Sequence, residues 1–231
     1  MTAMELHRYS DITAMCDALT AILSDACAAN PSPCMALAGG KTPLPIYREL
    51  AQRWSGGTHR AVVVVPTDDR CVAHSHPASN IAALSAAFGD SAECRALTAA
   101  DGDEHASLTV AQTTLGEIGT FDAVLLGMGE DGHFASLFPG ATNLQQGLAL
   151  DARDDAILTT PDPLPPEAPF SRISLTLPRL LRTRHMHLCI TGARKLDVLQ
   201  QAAAQSSGLP YPIAALLQQT SVAVHVHWSP Q

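Results

Sequence analysis

The chain has 231 residues, 46% apolar and 16% charged, with a formal net charge of −8. Such a composition fills a sizeable core and excludes a disordered or fibrous protein. The acidic balance argues against a nucleic-acid partner, which calls for a basic face, but not against a small anionic substrate held by a few local cations.

Met1 to Ser10 carries charges and no apolar core of signal-peptide length, and no apolar run approaches a membrane span. A cytoplasmic protein with no membrane partner is expected. Asp11 to Asn30 reads as a helix capped by Ser10 or Asp11, with Ile12, Met15, Cys16, Leu19, Ile22 and Leu23 on one stripe. Cys34 to Ala38 reads as a short buried strand. Gly39-Gly40-Lys41-Thr42-Pro43 then leads into a helix from Leu44 to Trp54. A strand, a Gly-Gly turn and a helix start form a phosphate cradle, because unpaired N–H groups and the helix dipole favour an anion there. Lys41 adds a cation and Thr42 a hydroxyl.

Ala61 to Val65 is a strand rich in β-branched residues, ending at Pro66-Thr67-Asp68-Asp69-Arg70. Two acids and an arginine there read either as a solvated turn or as a site carboxylate beside a substrate-binding arginine. Helices are expected from Ser75 to Ala87 and from His105 to Ile118. Phe121 to Leu126 is an apolar run broken only by Asp122, and reads as a buried strand. It opens into Gly127-Met128-Gly129-Glu130-Asp131-Gly132-His133, where glycines leave room beside the main chain. Ligands of α/β proteins gather at such carboxyl ends.

Beyond it, Thr142 to Asp155 has a mixed pattern, and Ala156 to Thr160 reads as a strand. Pro161 to Pro169 holds five prolines in nine residues, so it is an extended loop. Phe170 to Thr176 alternates as a half-buried strand would. A short helix from Leu177 to Leu181, a strand from His185 to Thr191, helices from Ala193 to Gln205 and Pro210 to Leu217, and a strand from Val222 to Trp228 complete the chain. Strands and helices alternate almost throughout. This predicts a single α/β domain over 1–231, doubly wound and Rossmann-like, with a mainly parallel sheet and helices on both faces.

The six cysteines are scattered without a C-x-x-C pair and read as reduced core thiols. The pairs His74/His76, His185/His187 and His225/His227 have chelating spacing on a strand, but no third ligand is indicated near any of them. They read as surface or interface histidines, and no metal is expected.

Gly39-Gly40-x-Thr42-Pro43, Asp68-x-Arg70, and Gly127-Met128-Gly129-x-Asp131-Gly132-His133-x-Ala135-Ser136-Leu137-Phe138-Pro139 together resemble the 6-phosphogluconolactonases. Arg172-Ile173-Ser174 and Thr191-Gly192-x-x-Lys195 fit the same pattern. The resemblance runs in order from about residue 34 to the C-terminus. It implies a fold related to sugar-phosphate isomerases and glucosamine-6-phosphate deaminases. It also implies hydrolysis of 6-phospho-D-glucono-1,5-lactone in the pentose phosphate pathway, without a required metal or organic cofactor. Two positions depart from the family: Ala38 replaces a serine before the Gly-Gly pair, and Asp69 replaces a glutamate. The related deaminases carry an acid where this chain has Phe138, which cannot exchange a proton.

For such a reaction His133 is the candidate general base and Asp131 its orienting partner, although Asp131 could equally cap the turn. Backbone N–H groups near Gly129 to Phe134, or the Arg70 guanidinium, would stabilise an oxyanion. Gly39, Gly40, Lys41 and Thr42, with Arg172 and Lys195, would hold phosphate, and Asp68 and Gly129 are further candidate substrate-binding residues. The partner is therefore a small sugar-phosphate lactone, bound by a monomer or small homo-oligomer. The competing readings are a sugar-phosphate deaminase or isomerase and a non-catalytic sugar-phosphate sensor.

Overall fold

The computed structural model describes residues 4–55, 62–166, 168–204 and 211–230. In chain order the elements are β1 (Glu5–Arg8), α1 (Ile12–Ala28), β2 (Cys34–Leu37), α2 (Leu44–Trp54), β3 (Val62–Pro66), β4 (Asp68–Arg70), α3 (Asn80–Phe88), β5 (Ala92–Cys94), α4 (Glu104–Gly116), β6 (Phe121–Gly127), α5 (Leu144–Leu148), β7 (Ala156–Thr159), β8 (Arg172–Leu175), α6 (Leu177–Leu181), β9 (Thr183–Thr191), α7 (Ala193–Ala204), α8 (Ile213–Gln218) and β10 (Val224–Ser229). The predicted ends at Ala61, Gln205 and Pro210, and Glu167 of the proline loop, fall outside the described residues.

Seven strands form a parallel sheet in the order β1-β10-β9-β6-β2-β3-β5. The chain grows outward from β2 through β3 to β5, then returns to the other side of β2 to lay down β6, β9 and β10. The direction of winding therefore reverses between β2 and β6. At such a point the two following loops diverge and leave a crevice at the carboxyl ends of the strands.

Period-2 alternation sends successive side chains of each strand to opposite faces, and both faces are covered. On one face Met35, Leu37, Val62, Val64, Ala123 and Leu125 pack against α1, α2 and α3. On the other, Ala36, Val65, Val124, Leu126, Met186 and Leu188 pack against α4, α7 and α8. Asp122, which interrupts the apolar run of β6, is buried where it accepts hydrogen bonds from the Cys34 N–H at 2.9 Å and Asn30 Nδ2 at 3.0 Å. A carboxylate thus ties the start of β2 to that of β6.

The structure departs from the sequence reading in several places. β1 and β5 are strands that the hydrophobic pattern did not mark. Asp68 to Arg70, read as the end of β3, is a separate strand in a small antiparallel sheet of order β4-β8-β7. The helix expected from Ser75 begins at Asn80, because the Ser79 hydroxyl accepts from the Ala82 N–H at 3.2 Å and caps it there. The strand expected to be half-buried, β8, is buried along its whole length. Its alternation is real: Ile173 and Leu175 enter the core, while Arg172 and Ser174 face protein groups instead of water.

Candidate active site

At the carboxyl ends of β2 and β6 the reversal opens a cavity of about 300 Å³. Gly39, Gly40, Lys41 and Thr42 reach it from the turn after β2, Asp68 and Arg70 from β4, Gly129 and His133 from the loop after β6, Arg172 from β8 and Lys195 from the first turn of α7. Asp131, the remaining sequence candidate, does not line the cavity but stands behind His133. Residues separated by as much as two thirds of the chain thus meet in one crevice.

The loop after β6 fixes the histidine. His133 Nδ1 lies 2.6 Å from Asp131 Oδ1, and the His133 N–H donates to the same oxygen at 3.2 Å. A carboxylate only accepts, so Nδ1 carries a proton, and in the neutral ring Nε2 is the atom with the free lone pair. Burial raises the Asp131 pKa, but the hydrogen bonds and charge of His133 outweigh it and hold the carboxyl below its ordinary range. The residues two apart can meet because Gly132 sits at φ +75° and folds the chain back on itself. Gly129 is required for a different reason. A Cβ there would fall within 3.0 Å of both His133 Nδ1 and Asp131 Oδ1. The Gly132 carbonyl accepts from the Ile213 N–H at 2.9 Å, anchoring the loop to α8.

Phe138 supports the other side of the histidine. Its ring stacks on the His133 imidazole with centroids 3.9 Å apart and planes at 22°. The Arg172 guanidinium carbon lies 4.7 Å from the same ring centre. Arg172 is only 4% exposed, and its Nη2 donates to the Ala168 carbonyl at 3.1 Å. One buried aromatic ring therefore positions a potential base and a potential anion ligand together.

Asn80 is the residue that the sequence reading placed in a helix turn without a site role. Its Oδ1 accepts from Arg70 Nη1, and its Nδ2 donates to the Asp68 carbonyl at 2.7 Å. It lines the cavity, and a Cβ on Gly39 would clash with its amide. The only sequence signal was its place just after a capping serine, which does not disclose a partner ten residues earlier. Asp69, between the two site residues, faces away from the cavity. It accepts from the Asn80 N–H at 2.6 Å, the Ile81 N–H at 2.9 Å and the Arg70 N–H at 2.8 Å, serving as an anchor for α3. Burial pushes its pKa up against these bonds. Asp68 accepts from the hydroxyls of Ser136 and Thr67, which orient its carboxylate at the cavity edge.

On the phosphate-cradle side, Tyr47 Oη donates to the Ala38 carbonyl at 2.7 Å and fixes the end of β2. No side chain caps the N-terminus of α2. Gly40, at φ +101°, turns the chain so that Lys41 and Thr42 border the cavity. The arrangement offers an anion one lysine from this turn, Lys195 from α7, Arg172 from β8 and backbone N–H groups. Arg194, beside Lys195, is turned outward and pairs with Glu130 at 2.9 Å.

A sequence profile described as glucosamine-6-phosphate isomerases/6-phosphogluconolactonase matches residues 9–228. The chain belongs to this family. It is 35% identical over 215 residues to the 6-phosphogluconolactonase of Caulobacter vibrioides, which covers 91% of this chain and 89% of that protein. The crystal structure of a 6-phosphogluconolactonase from Shewanella baltica superposes with a TM-score of 0.84 at 27% identity, covering 98% of this chain and 97% of that one. A monomeric glucosamine-6-phosphate deaminase also shares the fold, with a TM-score of 0.79 at 17% identity over 98% of this chain and 97% of that one. The fold alone therefore leaves both activities of the family open, and the site must separate them. Phe138 is a position that bears on this: as a hydrocarbon ring in contact with His133, it cannot exchange a proton.

Proposed function

We propose that this protein hydrolyses 6-phospho-D-glucono-1,5-lactone to 6-phosphogluconate in the pentose phosphate pathway, with His133 as general base. The whole chain would act as one domain of this kind, in the cytoplasm, as a monomer or small homo-oligomer without a nucleic-acid partner. In the structure, no helix among the described residues is long and apolar enough to cross a membrane.

The observation that carries the reading is the His133–Asp131 pair held at one side of a cavity whose rim bears Lys41, Arg172 and Lys195. His133 Nε2 takes a proton from water as the oxygen attacks the lactone carbonyl carbon. Asp131 stabilises the imidazolium that forms. The oxyanion of the tetrahedral intermediate is met by the Arg70 guanidinium or by N–H groups of the Gly129 to Phe134 loop, each donor being worth about 3 kcal/mol of barrier. Collapse breaks the bond from the former carbonyl carbon to the ring oxygen. That oxygen takes the proton back from His133 and becomes a hydroxyl, leaving the open-chain acid. The cradle at Gly39 to Thr42, with Arg172 and Lys195, holds the phosphate and so fixes the carbonyl against the base.

The test compares phosphorylated and unphosphorylated gluconolactone in a coupled assay with a matched no-enzyme blank, since lactones open spontaneously. His133→Ala should lower turnover of the phosphorylated lactone by about 10²–10⁴-fold with an unchanged Tm. Near-normal turnover by this variant would overturn the role of His133. Equal rates on both lactones would remove the phosphate cradle, and ammonia release from glucosamine 6-phosphate would replace the reaction itself.

A further inference from the structure

We propose that Glu5, His7 and His225 form a binding site for a divalent transition-metal cation of the zinc type, at the amino ends of β1 and β10. The parallel register sets Glu5 beside His225 and His7 beside His227. Alternation places Glu5 and His7 of β1 on the same face as His225 and His227 of β10. The sequence reading noted the His225/His227 pair but had no third ligand, because Glu5 and His7 lie on a strand that it did not mark.

The spacing of the donor atoms fits one small cation. His7 Nε2 and His225 Nδ1 are 3.3 Å apart, His225 Nδ1 and Glu5 Oε2 are 3.2 Å apart, and His7 Nε2 and Glu5 Oε2 are 3.9 Å apart. Tetrahedral bonds of about 2.0–2.1 Å to zinc separate neighbouring ligand atoms by about 3.3 Å. Two edges of the triangle already have that length, and the third closes with a small movement of the Glu5 side chain. Two imidazoles and a carboxylate are the donors that zinc and its neighbours in the first transition row prefer. Side-chain exposures of 57% for Glu5, 41% for His7 and 28% for His225 give a cation access and leave its remaining position to water.

The histidine rings are held in place before any ion arrives. His7 stacks on His225 with centroids 5.6 Å apart and on His227 with centroids 4.9 Å apart. His227 is fixed in turn by contacts of 2.8 Å to Tyr9 Oη and 3.1 Å to the buried His187. Packing of this kind removes ring rotamers that a ligand would otherwise have to freeze. The site lies at the end of the sheet opposite the cavity, so loading it should leave the reacting groups untouched. Its consequence is structural: one ion would bind β1 to β10 at the sheet edge.

The experiment titrates the chelator-treated full-length protein with Zn²⁺ by calorimetry at neutral pH and follows Tm in parallel. One equivalent is expected to bind with a Kd of about 10 µM or tighter, with a rise in Tm. Co²⁺ in place of Zn²⁺ should give the visible absorption of a tetrahedral site. Glu5→Gln and His7→Gln should each weaken binding by about tenfold or more and remove the Tm rise. The Tm of each metal-free variant shows that it has folded. No saturable binding to the parent protein, or equal affinity in the Glu5→Gln variant, would overturn the proposal.

Discussion

Gly129→Ala isolates the histidine from the rest of the site. Gly129 carries no positive φ, so alanine brings no backbone penalty there. The added methyl would instead lie within 3.0 Å of His133 Nδ1 and of Asp131 Oδ1, distances that real Cβ atoms essentially never show. Neither neighbour is backbone, and both side chains are part-exposed, at 28% and 43%. They can therefore swing away without unfolding the loop. Restoring van der Waals contact requires a retreat of about 1 Å, and a misplacement of that size costs about 10²-fold in rate, or about 2.7 kcal/mol of barrier. In the coupled lactonase assay kcat should fall by about that factor while KM changes little, since the cations of the cradle do not move. Tm should stay close to that of the parent. A kcat within about threefold of the parent would refute the role given to the His133–Asp131 geometry, because a displaced base would then be catalytically equal to a placed one. A tenfold rise in KM at constant kcat would refute it differently, by making the pair a binding group.

Phe138→Leu should lower kcat and Tm together, because it removes the ring that stacks on His133 and lies under Arg172. The lost ring contact is worth about 1 kcal/mol, and an unchanged kcat would show that Asp131 alone holds His133 in place. Burial pushes the thiols of Cys27, Cys34 and Cys189 up to about 12. At pH 8 only about one molecule in ten thousand then carries the reactive thiolate at each of these positions. Alkylation followed by mass spectrometry should leave the three unmodified in native buffer and label them in denaturant. Rapid native labelling of Cys189, at the cavity wall, would show that the pocket opens far more than its packing implies.

Legibility in the sequence followed burial. The interior strands β3 and β6 are apolar runs, broken in β6 only by Asp122, because a parallel sheet covers both of their faces, and they stood out for that reason. β1 reads Glu-Leu-His-Arg and β5 Ala-Glu-Cys. These edge strands have too few apolar residues for a pattern, and it is pairing with a neighbour that makes them strands. β4 looked like a turn because its residues are Asp-Asp-Arg, polar groups whose partners are supplied by α3, β8 and the loop after β6. At the candidate site, the glycines and the Asp-x-His spacing were visible because close backbone approach leaves a compositional trace. Asn80 was not, since its importance is wholly a matter of which two segments it touches. Phe138 was noticed as the position that separates two reactions. Only the structure shows that its ring also touches His133 and a buried arginine.

The placement of β1 against β10 has a consequence for how the molecule is made. A strand near the start of the chain pairs with one that begins more than two hundred residues later. At a synthesis rate of about 5–20 residues per second, the early strand waits some 10–40 s for its partner. During that interval its backbone donors and acceptors are satisfied by water, and its side chains must not invite the wrong neighbour. Glu5, His7 and Arg8 suit that wait, because a polar segment stays hydrated where an apolar one would aggregate. The same polarity that hid the strand from pattern recognition is what lets a nascent chain carry it safely until the sheet is ready to receive it.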